Sequence, residues 1–209
     1  MQISLLTLTI GRIWNAFQRR MDACASAQAA ECLRRRLGAV GPNVQLSPNL
    51  QVDFAERIQI GDWVYVGPGS QFYGRGGLTI ADHVIFGPQV IIMTSMHNHR
   101  NARFIPYDEI ELLKPVKIGE ASWIGFNAML MPGVNLGRGC IVGAGSVVTK
   151  SFPEGSVVAG NPAKEIGKRD MQVFMNYLAN DRTYLKNWYF KKKKKVERMV
   201  DFKTDSSHL

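Results

Sequence analysis

The sequence predicts an all-β solenoid, a parallel β-helix with helical segments at its N- and C-terminal ends. Three observations carry that expectation: a six-residue repeat of apolar openers, a column of small residues beside it, and one long interruption. Residues 118–153 divide into the units IGEASW, IGFNAM, LMPGVN, LGRGCI, VGAGSV and VTKSFP. Each opens on an aliphatic residue: Ile118, Ile124, Leu130, Leu136, Val142 and Val148. Gly follows the opener in four of the six, and a small or β-branched residue returns four places after it, as Ser122, Ala128, Val134, Cys140 and Ser146. Self-similarity at a fixed short period marks a solenoid, and a period of six marks a parallel β-helix.

A triangular cross-section explains the number six. Three short strands make one coil, so a coil takes roughly eighteen residues. The opener points into a narrow interior where aliphatic groups pack. The Gly after it is expected to free the backbone for a tight corner, because it carries no Cβ penalty at unusual φ.

Upstream, the rhythm begins loosely at Val44 and Leu50 and locks at Ile60 and Val66. Two extra residues in YGRGGLT shift the frame after Phe72, and it resumes at Ile80, Phe86 and Ile92. Across nine units, opening at 60, 66, 80, 86, 118, 124, 130, 136 and 142, every opener is apolar. Eight of their second positions are Gly or Ala, Met131 being the exception. The next opener would fall at residue 98, where the rhythm stops. Residues 98–117, NHRNARFIPYDEIELLKPVK, are polar, charged and aperiodic. A long excursion from a regular solenoid is usually functional. It is headed by Thr94, Ser95, Met96, His97, Asn98, His99 and Arg100.

Three segments result: an N-terminal helical cap at 1–43, the solenoid at 44–166 with its excursion at 98–117, and a basic helical tail at 167–209. Residues 1–11 are apolar, but no basic region precedes them and no small-residue cleavage site follows, so no signal peptide is expected. Residues 12–38 read as helix, with Ile13, Trp14, Phe17, Met21 and Cys24 at helical spacing and Gly38 as the stop. This helix is read as a cap over the open end of the solenoid, with an interfacial membrane helix as the competing reading. Residues 170–200 also read as helix, Met171, Phe174, Met175 and Leu178 lying on one side.

The net charge of +9 is uneven. Residues 1–40 carry +4, residues 41–163 carry −1 and residues 164–209 carry +6. A neutral body with basic ends excludes nucleic acid as a partner along the solenoid. It points instead to ends that could meet an anionic membrane surface. Trp188, Tyr189 and Phe190 just before Lys191 to Lys195 fit such an anchor; a solvated lysine run is the plainer reading. Cys24, Cys32 and Cys140 form an odd set without metal-ligand spacing, as expected of reduced thiols in the cytoplasm. Cys140 falls in the small-residue column and is read as packing.

The run WIGFNAMLMPGVNLGRGCIVGAGSVVTKSFPEGSVVAGNPAKEI closely resembles the C-terminal half of the hexapeptide-repeat acyltransferases. The nearest branch holds the galactoside, maltose and polysaccharide O-acetyltransferases, and the similarity runs from about Ile60 to Lys168. WIG, PGV, GAGSVV and GNPAK in that order, after a loop headed by a His, are specific as a group. The resemblance implies a left-handed β-helix, a homotrimer, and acetyl-coenzyme A lying between adjacent solenoids. It implies His97 as general base, with Trp123 lining the pantetheine tunnel and the backbone at Phe126 and Ala144 along the cofactor. Thr149 and Lys150 match cofactor-binding positions, and Lys164 matches a basic position near the nucleotide phosphates. The second basic residue usual three places later is Gly167 here, with Lys168 next to it.

The chemistry of His97 can also be read directly. A sugar hydroxyl attacks a thioester poorly until a base of near-neutral pKa takes its proton in the transition state, an effect worth about 10²–10⁴-fold. A backbone N–H is the expected donor to the developing oxyanion. Arg75 in the GRGG turn and His99 are secondary candidates for acceptor contact, against plain readings as a surface turn residue and a solvated side chain. His83 is read as exterior, and Asn161 and Pro162 as a turn closing the solenoid.

The expected function is acetyl transfer to a sugar hydroxyl of a surface polysaccharide or lipid-linked glycan precursor, at the inner membrane face. N-acetylation of an amino sugar or an antibiotic is the alternative on the same fold. A zinc hydrolase using His83, His97 and His99 is a second, although the histidine spacing fits poorly and no metal is expected. A solenoid that has lost activity is a third.

Overall fold

Apolar residues six apart share one interior only if the chain turns a corner after each, and the backbone does so. The computed structural model describes residues 5–189. The first face of its prism stacks Ala39–Val40, Ile58–Ile60, Leu78–Ile80, Val116–Ile118 and Asn135–Leu136 in parallel. The second stacks Gln45–Leu46, Tyr65–Val66, Ile85–Phe86, Trp123–Ile124, Ile141–Val142 and Ser156–Gly160. The third stacks Gln51–Asp53, Gln71–Tyr73, Ile91–Met93, Met129–Leu130 and Val147–Val148. Ala163–Lys168 folds back antiparallel on Ser156–Gly160 through the turn at Asn161 and Pro162 and closes the second face.

The openers from Ile60 to Val148 are all buried, and the small residues Ser122, Ala128, Val134, Cys140 and Ser146 are buried beside them. In the first coil the frame differs from the expected one. Val40, Leu46 and Val52 pair with Ile60, Val66 and Phe72, so they are the openers. Val44 and Leu50 instead sit in the second interior column, level with Val64 and Ser70. Both columns are apolar in this coil, which is why the rhythm reads two residues out of place.

The Gly after the opener serves a different purpose from the one expected. Gly67, Gly87 and Gly125 are not among the residues at positive φ. Each lies against the next coil: a Cβ on Gly67 would stand 2.5 Å from the Gly87 carbonyl carbon, one on Gly87 2.7 Å from the Phe126 nitrogen, and one on Gly125 2.6 Å from the Ala144 nitrogen. The left-handed conformation falls two residues after this position, which is Ala81 in one unit, at Trp63, His83 and Ala121 on one corner and at Gln89, Asn127 and Gly145 on the next.

Departures from the six-residue step gather at the corner between the third and first faces. Phe72 to Ile80 takes eight residues, Ile92 to Ile118 takes twenty-six and Val148 to Phe152 takes four. The long excursion is thus the largest of several insertions at one edge.

Helix α1 spans Leu5–Arg36, starting earlier than expected because the apolar residues from Leu5 onward join it. Its described side chains from Trp14 to Ala29 are exposed, whereas Leu33 and Leu37 pack on the first coil. Arg34 donates to the Gly41 carbonyl at 3.0 Å. The side chains of Ile13, Phe17 and Cys24 lie outside the described residues. Helix α2 spans Met171–Ala179, shorter than expected. Asp170 caps its start, accepting from Gln172 and Val173 N–H at 2.9 and 3.0 Å. Asp181 at φ 54° breaks it, and a π-helical turn follows at Leu185–Tyr189. Phe190 and Lys191 to Lys195 lie outside the described residues, as do the Trp188 and Tyr189 side chains, so the expected aromatic anchor does too.

Candidate active site

After Met93 the chain leaves the prism as a hairpin. Ser95–His97 pairs antiparallel with Glu111–Leu113, His97 standing opposite Glu111. Buried Thr94 fixes the stem: its hydroxyl donates to the Tyr73 carbonyl at 2.6 Å and accepts from Gly76 N–H at 2.7 Å. Its carbonyl accepts from Lys114 N–H at 2.8 Å.

The tip is organised around Asp108, which is buried. Its carboxylate accepts from Asn98 Nδ2 at 2.9 Å, from Ile110 N–H at 3.1 Å and from Arg103 N–H at 3.3 Å. Burial pushes this carboxyl up, but the hydrogen bonds from Ile110, Asn98 and Arg103, with the Arg103 charge, outweigh it and hold it below its ordinary value. Folding back on Asp108 brings Tyr107 over His97, the two rings stacked 4.0 Å apart at 12°. His97 is exposed, and neither of its ring nitrogens takes a hydrogen bond among the described residues.

Arg75 reaches the same hairpin. Its guanidinium pairs with Glu111 and lies 5.2 Å over the Phe54 ring, while its carbonyl accepts from Arg57 Nη1 at 2.6 Å. His99 is exposed, its Nδ1 3.5 Å from the His97 carbonyl. The structure therefore gathers His97, His99 and Arg75 at one hairpin and adds Tyr107, Asp108 and Glu111, which the sequence reading missed.

The candidate cofactor residues are spread over two edges of the prism. Trp123 projects from the second face, 51 % exposed. Phe126 and Ala144 occupy successive coils of the corner between the second and third faces, and Gly145 N–H donates to the Phe126 carbonyl at 2.8 Å. A Cβ on Gly145 would meet nothing within 4 Å, so this ladder faces open space. Thr149 and Lys150 are exposed on the corner that also carries the His97 hairpin, two coils further along, or roughly 10 Å at the usual strand spacing. Lys150 Nζ lies 5.5 Å over the Phe152 ring. Lys164 is exposed on the closing strand, opposite Ala159.

A cavity of about 280 Å³ opens between the second face and α2, with Trp123, His83, Phe174, Arg182 and Thr183 in its lining. His83 Nδ1 and Thr183 Oγ1 are buried without a hydrogen-bond partner among the described residues. Among the described residues no three His, Cys, Asp or Glu side chains come close enough to hold a metal, and His83 lies on a different corner from the hairpin. No described helix is long and apolar enough to cross a membrane.

The bacterial transferase hexapeptide family (six repeats) matches residues 115–150. The chain is 33 % identical over 138 residues to WcaF of Escherichia coli (strain K12), which carries the name of a colanic acid biosynthesis acetyltransferase; the match covers 66 % of this chain and 73 % of WcaF. A hexapeptide-repeat acetyltransferase of Vibrio cholerae O1 biovar eltor, solved with acetyl coenzyme A, superposes with a TM-score of 0.63 at 28 % identity, covering 68 % of this chain and 76 % of that one. A maltose O-acetyltransferase of Clostridium difficile 630 gives 0.63 at 32 % identity, covering 68 % and 74 %. The prism is accordingly a left-handed β-helix of about six turns. With its repeats, its stacked faces and relatives matched over most of their length, the chain belongs to the hexapeptide-repeat acetyltransferases.

Proposed function

We propose that the protein transfers an acetyl group from acetyl-coenzyme A to a hydroxyl of a carbohydrate, with His97 as general base. The observation that carries this reading is the state of His97: an exposed imidazole on an anchored hairpin, both ring nitrogens open to an incoming hydroxyl. Acetyl-coenzyme A supplies the thioester carbonyl and the thiolate leaving group. His97 takes the acceptor proton as the oxygen adds to that carbonyl, and returns it to the departing sulfur as the C–S bond breaks. No covalent enzyme intermediate is needed.

The edge beside Trp123 fits an extended thioester arm. Trp123 and Phe126 give half-exposed aromatic surface and the Ala144 and Gly145 level is open, with Lys164 on the strand that closes the same face, while Thr149 and Lys150 on the His97 corner bring a hydroxyl and a second cation for phosphate contact. Within one chain, however, His97 and the Phe126–Ala144 ladder occupy different edges of the prism. A ligand touching both needs a second copy, which supports a trimer with the cofactor in the cleft between protomers.

The acceptor we favour is a polysaccharide repeat unit or its lipid-linked precursor, in line with the name of WcaF, handled at the inner membrane face where the basic tail would meet anionic lipid. The test is transfer of radiolabelled acetyl from acetyl-coenzyme A to a panel of saccharides, lipid-linked sugars and amino sugars. Base-labile product from hydroxyl acceptors alone supports this reading. Product stable to mild base, formed only with free amines, would replace it with N-acetylation.

A further inference from the structure

We infer that Tyr107 is a positioning residue for His97, holding the imidazole in the orientation from which it takes the acceptor proton. This rests on the reading of His97 as the base. A catalytic imidazole needs something to fix its plane, and a hydrogen bond from one ring nitrogen to a carboxylate or carbonyl is the usual means. His97 makes no such bond among the described residues; what its side chain meets there is the face of Tyr107, 4.0 Å away and only 12° from parallel.

The geometry has a cause in the hairpin. Tyr107 directly precedes Asp108, whose carboxylate is bound by the Asn98 side chain, and Asn98 directly follows His97. The Asp108 N–H donates to the Asn98 carbonyl at 3.3 Å, and Asn98 N–H donates to the Ile110 carbonyl at 3.0 Å. Asn98 and Asp108, ten residues apart, are thereby locked together, and the residues beside them, His97 and Tyr107, are laid ring on ring. On the other strand Glu111, opposite His97, is tied to Arg75. The stack covers a face of the imidazole and leaves its edge, which carries both nitrogens, open. It fixes orientation without consuming a nitrogen, so one can accept the proton while the other is free for solvent or ligand.

Orientation of a base acts on turnover more than on binding, and a small misplacement can cost up to about a hundredfold. Tyr107→Ala and Tyr107→Leu are therefore expected to lower kcat about ten- to a hundredfold while the KM for acetyl-coenzyme A stays within about twofold. Tyr107→Phe keeps the ring and is expected to restore turnover. The stack itself is read by NMR of the full-length protein, as an upfield ring-current shift of the His97 ring protons, kept in Tyr107→Phe and lost in Tyr107→Leu. Tyr107→Leu with the shift lost and kcat unchanged would overturn the inference, as would absence of the shift from the unaltered protein. A fall in Tyr107→Phe as deep as in Tyr107→Leu would also overturn it, by moving the role to the phenol hydroxyl. Unchanged turnover in His97→Asn would instead remove the base reading beneath it, a result separable from any failure at Tyr107.

Discussion

Gly125 lies under Ala144 so closely that a side-chain carbon on Gly125 would stand 2.6 Å from the Ala144 nitrogen. That contact sets the coil-to-coil spacing at the edge proposed to hold the cofactor. It separates two roles for glycine in this fold: close approach directly after the opener, and left-handed backbone two residues later.

Gly125→Ala and Gly145→Ala should accordingly differ. At Gly125 the obstacle is the backbone of the next coil, which cannot move without breaking the ladder, so a loss of about 3 kcal/mol or more is expected. At Gly145 the space is open and φ is +67°, so the cost is the conformational one, about 1–2 kcal/mol. Thermal unfolding of the two variants measures both. A loss at Gly125 no larger than that at Gly145 would mean that the next coil gives way to the added methyl group.

Asp108 should make the hairpin acid-sensitive. Its carboxyl is held below its ordinary value of 3.8 in the folded chain, so its stabilising effect is fully present above that value. The effect is lost as the pH falls from there through the lowered folded value. Asp108→Asn is expected to slacken the hairpin at pH 7, seen as faster amide exchange at Arg103 and Ile110, and the difference from the unaltered protein should shrink in acid. A difference that grows on acidification would contradict the sign.

Much of the prism was legible in the sequence, because an interior only one side chain wide allows little besides aliphatic residues at the opener and small ones four places on. Ile118 through Val148 could be read directly for that reason. The first coil could not be framed, since Val44 and Leu50 are as apolar as Leu46 and Val52. The glycine column was visible but its purpose was not: a close approach between residues nineteen apart, as for Gly125 and Ala144, leaves no local trace. His97 stood out because it heads the interruption. Tyr107, Asp108 and Glu111 did not, because they act through a hairpin whose pairing follows no hexad. The run PYDE is the ordinary trace of a turn and says nothing of which ring it will cover. The C-terminal helix was overrun because Asp181 takes a left-handed backbone that its side chain does not announce.

Cys140 should be inert in the folded protein. It is buried, its thiol donates to the Pro153 carbonyl at 3.1 Å, and burial pushes it up from the ordinary value. The thiolate is the reactive form. Iodoacetamide at pH 8 is expected to modify exposed Cys32 and spare Cys140 until denaturant is added, as read by peptide mass spectrometry. Rapid labelling of Cys140 in the native protein would show that the interior opens.

The central claim is that His97 takes the acceptor proton beside a thioester bound by other residues. It is tested most directly by measuring kcat for acetyl transfer and the Kd for acetyl-coenzyme A together, in His97→Asn and the unaltered protein. The account predicts a fall in kcat of about a hundredfold or more with Kd changed less than about twofold. Unchanged kcat, or a fall matched by an equal loss of cofactor binding, would contradict it.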